Sequence, residues 1–324
     1  MLDSHQLNVF LIAAEELNFT QAARKLHMSQ PSVSQHIRAL EKHFNTKLFS
    51  RSGHNMQLSD AGLALIPAAR EMVRQSIRIE EMMASLEGDI FGHLMVGCST
   101  TPGKYVLPQL LANFHRQYPK VRVTCQVASQ VRAFRDLCNG EIQFALSSYF
   151  KDNCRDVEFL KFMSESVHLV APPDHPWAAR GEIEPQELFN ADFIFREEDS
   201  GTFKAVEEAL LGVGIELHKL KTLLVLGNAE AIALAVQEGI GVGFVSNVVI
   251  DKLGQNRIIP IKVKGIEIYR EISIGRHIGS TVTKAQEVFW RFITSLPLPI
   301  DHHSSLDTIL RTNESQFMIN YSDE

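Results

Sequence analysis

Phe19-Thr20-Gln21-Ala22-Ala23-Arg24-Lys25-Leu26-His27-Met28-Ser29-Gln30-Pro31-Ser32-Val33-Ser34-Gln35-His36-Ile37-Arg38-Ala39-Leu40-Glu41 reads as two short helices joined by a turn. Asn18 and Thr20 are N-cap types before a segment, 21–26, whose small residues allow close helix packing. Ser29 is placed to cap the next helix, and Pro31 falls in the first turn, where its missing N–H costs nothing. Val33, Ile37, Leu40 and Phe44 recur at helical spacing and form the face to be buried. Gln30, Ser32, Ser34, Gln35 and Arg38 are left along the helix start and its outer side, without a carboxylate among them. Gln and Arg can bind adenine and guanine edges bidentately, and short hydroxyls let a helix approach phosphates, so this face suits a DNA major groove.

On the N-terminal side, Leu7, Phe10, Leu11 and Ala14 fall at i, i+3, i+4 and i+7, which predicts a helix over 5–16. On the other side, Leu48-Phe49-Ser50-Arg51 and Met56-Gln57-Leu58 bracket a turn containing Gly53 and read as a small wing, with Arg51 reaching a flanking phosphate or the minor groove. Ser59 can cap a long helix running to about Glu87, bent by Pro67 near Leu63. Leu65, Ala69, Met72, Ser76, Ile79, Met83 and Leu86 step along it by fours and threes. That seam reads as a contact with the same helix of a second copy, parallel or antiparallel, with a helix packed on its own domain as the alternative.

The string 19–41, with Lys47-Leu48-Phe49-Ser50-Arg51 after it, resembles the winged helix-turn-helix of LysR-type transcriptional regulators. Asn45 stands where that family usually has Gly, and Asn tolerates the same left-handed backbone. The resemblance implies an all-α winged helix-turn-helix over 1–58 that binds double-stranded promoter DNA. Its contact residues would be Thr20, Ser29, Gln30, Pro31, Ser32, Ser34, Gln35, Arg38 and Arg51. It also implies a linker helix over 59–89 that pairs subunits in a homodimer or homotetramer, with RNA polymerase as a further candidate partner.

Charge supports an anionic partner at this end. The chain has a net charge of −6. Residues 1–58 nevertheless carry Arg24, Lys25, Arg38, Lys42, Lys47 and Arg51 against only Asp3, Glu15, Glu16 and Glu41. With 324 residues there is room for about two domains at roughly 150 residues each.

From His93 onward, strand-like and helical runs alternate: 94–98, 106–118, 121–127, 131–139 and 142–147, then 167–171, 193–196, 202–211, 222–226, 229–237 and 242–245. The rhythm is α/β and implies two lobes. Strand-like 266–275 and helical 283–296 come last, and the chain is expected to return there to the first lobe. This half resembles the effector-binding domain of the same family, which implies a two-lobed fold like the type 2 periplasmic binding proteins over 90–297. The first lobe would hold about 90–163 and 267–297, and the second about 164–266.

Enzyme motifs fail individually. Gly239-Ile240-Gly241-Val242-Gly243 follows a helix and enters a strand, the reverse of the order a phosphate loop requires. Gly97-Cys98-Ser99-Thr100-Thr101 lacks the second glycine of a nucleophile elbow. No cofactor or metal is expected. Ligands in open α/β sheets bind outside strand C-termini, and the hydroxyl-rich strand ends are Ser99, Thr100 and Thr101, then Ser129, Ser147, Ser200-Gly201-Thr202, Asn228 and Ser246. These polar groups suit a small, anionic effector. The segment 193–202 resembles the branch with carbon-fixation and sulfur-assimilation regulators, which commonly has Arg where Phe203 stands. The cation favouring a multiply charged anion is absent there, with Arg196 and Lys204 as partial substitutes.

The longest apolar runs are about six residues, far below the ~20 of a spanning helix, and the N-terminus lacks a basic signal region, so a cytoplasmic protein without membrane contact is expected. Cys98, Cys125, Cys138 and Cys154 lie far apart without a C-x-x-C pair and read as reduced structural thiols. Residues 298–324 carry Asp301, Asp307, Glu314, Asp323 and Glu324 against Arg311 and read as an acidic, flexible tail. Two rivals stand beside the regulator: a cytoplasmic solute-binding protein or enzyme of the same two-lobed fold, and a regulator with a vestigial cleft.

Overall fold

The computed structural model describes residues 1–52, 55–84, 90–148, 154–254, 257–279 and 282–300. Two compact units divide between residues 89 and 90.

In the first unit, the Asp3 carboxylate accepts from His5 N–H and starts α1 (Ser4–Glu16). Asn18 Oδ1 accepts from the N–H groups of Thr20 and Gln21 at 2.9 and 3.1 Å and starts α2 (Phe19–Lys25). Ser29 Oγ accepts from Ser32 N–H at 3.3 Å at the head of α3 (Gln30–Phe44). This helix ends in the left-handed conformation at Asn45, φ 51°, which a short amide side chain tolerates where a branched residue would strain. The wing follows as antiparallel β1 (Phe49–Ser52) and β2 (Asn55–Leu58). Ser59 Oγ then accepts from Gly62 N–H at 3.0 Å to cap α4 (Asp60–Ala84), which contains Pro67. Leu7, Phe10, Val33, Ile37, Leu40 and Leu48 fill the core. Glu41 ties the wing to α3, accepting from Lys47 Nζ at 2.7 Å and Leu48 N–H at 3.0 Å.

The seam along α4 is divided between two environments. Ala69 is buried in the core of this unit, Leu65 packs against it, and Ser76 Oγ donates to Ser4 Oγ of α1 at 3.1 Å. Those three positions are covered by the chain's own helices, which corrects the reading of the whole series as an intersubunit seam. Met72, Ile79 and Met83 are 40%, 50% and 56% exposed. Leu86 and the expected end of the helix lie outside the described residues.

The second unit runs β3 (Gly92–Cys98), α5 (Thr100–Tyr105), α6 (Leu107–Gln117), β4 (Val121–Val127), α7 (Gln130–Cys138), β5 (Phe144–Ser147) and β6 (Val157–Ala171). It continues with α8 (Pro176–Arg180), β7 (Glu182–Ile183), β8 (Asp192–Arg196), α9 (Gly201–Leu211), β9 (Lys221–Leu226), α10 (Ala229–Gln237), β10 (Val242–Ser246), α11 (Asn247–Leu253), β11 (Ile259–Val263), β12 (Ile268–His277) and α12 (Lys284–Thr294). The helix expected over 106–118 is α6, and a further short helix, α5, which the sequence reading did not include, precedes it and meets it at Val106.

Hydrogen bonds link the strands in the order β4-β3-β5-β12-β6-β10-β8-β9, with β11 beside β6 and β7 beside β11. The β4-β3-β5 and β10-β8-β9 runs are parallel, whereas β12 is antiparallel to β5 and β6. Each parallel run anchors one lobe. Phe114, Phe144, Phe162 and Phe289 lie in the core of the first; Trp177, Phe193, Val206 and Phe244 lie in a core of the second.

β6 begins at Val157, ten residues before the strand expected at 167, because it crosses from one lobe to the other. β12 makes the return crossing beside it, with a register shift at Ile272/Ser273. Past α12 the chain stays packed. Ile300 is buried in the first-lobe core and its N–H donates to Phe162 C=O at 2.9 Å, so the ordered domain extends beyond the 297 boundary. The acidic segment from Asp301 onward lies outside the described residues.

Candidate functional site

The first unit presents a surface groove formed by the start of α2, α3 and the wing. Thr20, Gln30, Ser34 and Arg38 line it, with Ser50 on the wing side. Gln30 Nε2 donates to Ser34 Oγ at 2.9 Å, which holds both side chains along one ridge. Arg38 is exposed one turn further on. Pro31 and Gln35 are exposed on the helix outside the lining, and Ser32 is half-buried. Ser29 serves the backbone as a cap. The side chain of Arg51 lies outside what is described.

Among the described side chains, Lys25 and Lys47 are already paired. Lys25 reaches Glu15 and Glu16 at 3.0 and 3.1 Å, and those contacts raise its pKa. Lys47 is taken by Glu41 at 2.7 Å. Glu41 also borders the groove; among the described lining residues it is the one carboxylate, and Lys47 neutralises it.

In the second unit, strand C-termini of both lobes converge on a cavity of about 150 Å³. Ser99, Thr100 and Thr101 follow β3, Ser129 follows β4, Arg196 ends β8, and Ser200 and Gly201 open α9; all seven line it. Ser129 and Ser200 also cap their helices, accepting from Arg132 and Phe203 N–H at 3.3 and 3.1 Å. Ser99 stands at the N-cap position of α5 without a side-chain cap bond. At Gly201 an added Cβ would stand 2.6 Å from the Ser148 Cβ, so glycine is what lets α9 approach the first lobe.

The remaining expected ligand residues lie outside the lining. Ser147 is buried, its hydroxyl 3.4 Å from Gln130 Oε1. Thr202 is buried and accepts from Arg270 Nη1 at 3.0 Å. Phe203 packs against the second-lobe core beside Phe195 and lines a separate groove. Asn228 caps α10, accepting from Ala231 N–H at 2.7 Å, while its neighbour Gly227 lines the cavity. Ser246 is buried at the end of β10, and its hydroxyl has no hydrogen-bond partner among the described residues.

Sequence reasoning missed Gln130, Glu197, Asp199 and Arg270, all of which line the cavity. Gln130 follows Ser129 directly, so the strand-end rule could have found it. It donates its amide to the Asp199 C=O and bridges the lobes. Arg270 sits in mid-strand on β12, where periodicity carries no signal for a ligand contact. It faces Glu165 of β6 as a cross-strand partner and pairs with it, both side chains about 95% buried. Arg196 forks onto Glu197 at 2.7 and 2.6 Å. Burial pushes the Glu197 carboxyl up, but the guanidinium and a backbone N–H outweigh it and hold the pKa below the usual range. Both guanidiniums on the cavity wall are therefore neutralised by the protein's own carboxylates. Among the described residues no cluster of His, Cys, Asp and Glu could hold a metal ion, and no helix is long and apolar enough to cross a membrane.

Known proteins match both units. The family described as "Bacterial regulatory helix-turn-helix protein, lysR family" matches residues 4–63, and "LysR substrate binding domain" matches 87–296. A probable RuBisCO transcriptional regulator of Cyanidium caldarium is 32% identical over 294 residues, 90% of this chain and 93% of that protein. The crystal structure of full-length CbnR with its target DNA superposes with a TM-score of 0.67 at 21% identity, covering 91% of this chain and 99% of that one. The Synechocystis CcmR regulatory domain in complex with 2-PG superposes at 0.57 and 24% identity, covering 65% and 99%.

Proposed function

The chain belongs to the LysR family of transcriptional regulators, and from that premise we propose that α3 enters the major groove of promoter DNA while the cavity between the lobes binds a small effector. The single observation carrying the DNA half is the groove in which Thr20, Gln30, Ser34 and Arg38 stand together and the only carboxylate among the described lining residues is neutralised. Side-chain amide, hydroxyl and guanidinium supply the donors and acceptors that read base edges and position phosphates. Arg51 on the wing contacts the backbone beside them. The site of action is the cytoplasm, where promoter DNA and RNA polymerase are found.

The cavity favours an effector of few atoms with at most one negative group. Its wall offers hydroxyls, the Gln130 amide and the N-terminus of α9, and its two guanidiniums are already matched by Glu197 and Glu165. A small monocarboxylate fits this arrangement, whereas a phosphorylated sugar needs unmatched cations. Exposed Ile79 and Met83 on α4 supply the surface for pairing with a second copy.

Selection of DNA from a random-sequence pool by the full-length protein tests the reading. The expected result is one enriched motif with two half-sites spaced by about one helical turn, or a multiple of it, as for a two-fold helix-turn-helix dimer. A pool that stays random over successive rounds would overturn it.

A further inference from the structure

Cys98 and Cys125 are 27 residues apart in sequence, but they lie on adjacent parallel strands, β3 and β4, with their Sγ atoms 3.4 Å apart. Cys98 is buried and Cys125 is exposed, so the pair has one solvent-facing thiol and one shielded partner. The contact lies directly beneath the cleft rim. Ser99 is the next residue in the chain, and a Cβ at Gly103 of α5 would stand 2.6 Å from Cys98 Sγ and 3.0 Å from Val127 Cγ2. The helix carrying Thr100 and Thr101 thus rests on the Cys98 sulfur.

We propose that Cys98 and Cys125 form a dithiol modification site, closed to an intramolecular disulfide by a hydroperoxide and reopened by a dithiol reductant, with closure displacing the first turn of α5 at the rim of the ligand cleft. The Cys125 thiolate attacks one peroxide oxygen, the O–O bond breaks, and the other oxygen leaves as an alcohol or water, giving a sulfenic acid on Cys125. The Cys98 sulfur then attacks the Cys125 sulfur. The S–O bond breaks, and hydroxide leaves with the Cys98 proton as water. Two electrons pass from the two thiols to the peroxide.

The division of roles follows from the environments. Hydrogen bonding from Cys98 outweighs partial burial and draws the Cys125 pKa below the usual thiol range, whereas the same contact and burial push Cys98 up. The exposed sulfur is thereby the nucleophile and the buried one resolves it. A disulfide is about 2.05 Å long, so closure shortens the 3.4 Å contact by more than an ångström and alters the surface on which Gly103 sits.

The test treats the reduced full-length protein with hydrogen peroxide, alkylates free thiols and maps peptides by mass spectrometry. The expected product joins the Cys98 and Cys125 peptides with loss of two hydrogens, leaves Cys138 and Cys154 alkylated, and returns to four alkylatable thiols in dithiothreitol. C125S should abolish the cross-link, and a C138S/C154S double variant should retain it. Amide exchange over residues 99–105 should differ between the reduced and oxidised wild type and be insensitive to peroxide in C125S. Over-oxidation of Cys125 without a cross-link, or a bridge confined to Cys138 and Cys154, would overturn the site. Identical exchange in both redox forms would overturn its connection to the cleft.

Discussion

Lys104 Nζ stands 3.0 Å from Glu230 Oε1, and this ion pair joins α5 of the first lobe to the first turn of α10 in the second. Tyr105, the next residue, packs on the second-lobe cluster containing Ala229 and Ile232. With the Gln130 amide on the Asp199 C=O, these contacts hold the lobes against one another. Burial pushes the Glu230 carboxyl up, but Lys104, a backbone N–H and the Tyr105 hydroxyl outweigh it and hold the pKa below the usual carboxylate range. Burial, with Glu230 next to it, raises the Tyr105 phenol to about 12.

A pH dependence follows from that shift. A carboxyl lowered in the folded state contributes fully above its unfolded value of about 4.3 and loses the contribution as pH falls through the folded value. Glu230→Gln should cost about 0.5–1 kcal/mol at neutral pH, since the lysine partner is half exposed to solvent. The deficit should shrink as both proteins are titrated below about pH 4.3. Thermal unfolding of wild type and variant from pH 7 to pH 3 measures it, and a deficit that grows on acidification would contradict the assignment.

Thr202→Val tests the buried network under the cavity. The hydroxyl accepts from Arg270, so its loss leaves a buried donor unmatched and should cost about 1–3 kcal/mol. Thr101→Val, on the opposite lobe, should cost less stability while reducing the thermal shift given by a small carboxylate found in a metabolite screen. Chemical denaturation separates the first effect from the second. Equal stability losses in the two variants would place the Arg270 contact elsewhere.

The proposed oligomerisation through α4 rests on its exposed Met72, Ile79 and Met83. Ile79→Lys would place an uncompensated charge opposite a partner helix, where burial is strongly unfavourable. Sedimentation at low micromolar concentration should show the variant one assembly step smaller than the wild type. An unchanged mass would move the interface off this face.

The sequence made the local structure legible wherever a side chain completes a backbone group nearby. Asn18, Ser29 and Ser59 mark helix starts that the structure confirms, and hydroxyls after the strands led to Ser99, Thr101 and Ser200. What could not be read depends on residues distant in sequence. A four-three spacing is the same whether a chain's own helix or a second copy covers it, so Ala69 and Ile79 looked equivalent although only Ala69 is buried. Strand ends do not say which hydroxyls the backbone consumes, and Thr202 and Ser147 face inward. Glu165 and Arg270 meet only through the β6–β12 register, and Cys98 and Cys125 only through the β3–β4 pairing.

DNA recognition by α3 and its wing is most directly tested by titrating Arg38→Ala and Arg51→Ala across salt concentrations on the selected motif and on a scrambled duplex. Arg38→Ala should lose about 1–3 kcal/mol on the motif and discriminate less between the two duplexes, as expected for a base-reading arginine. Arg51→Ala should weaken both duplexes alike and flatten the logarithmic salt dependence by about one unit, as expected for a phosphate contact. If both variants bound both duplexes like the wild type at every salt concentration, the assignment of this face to DNA would be wrong.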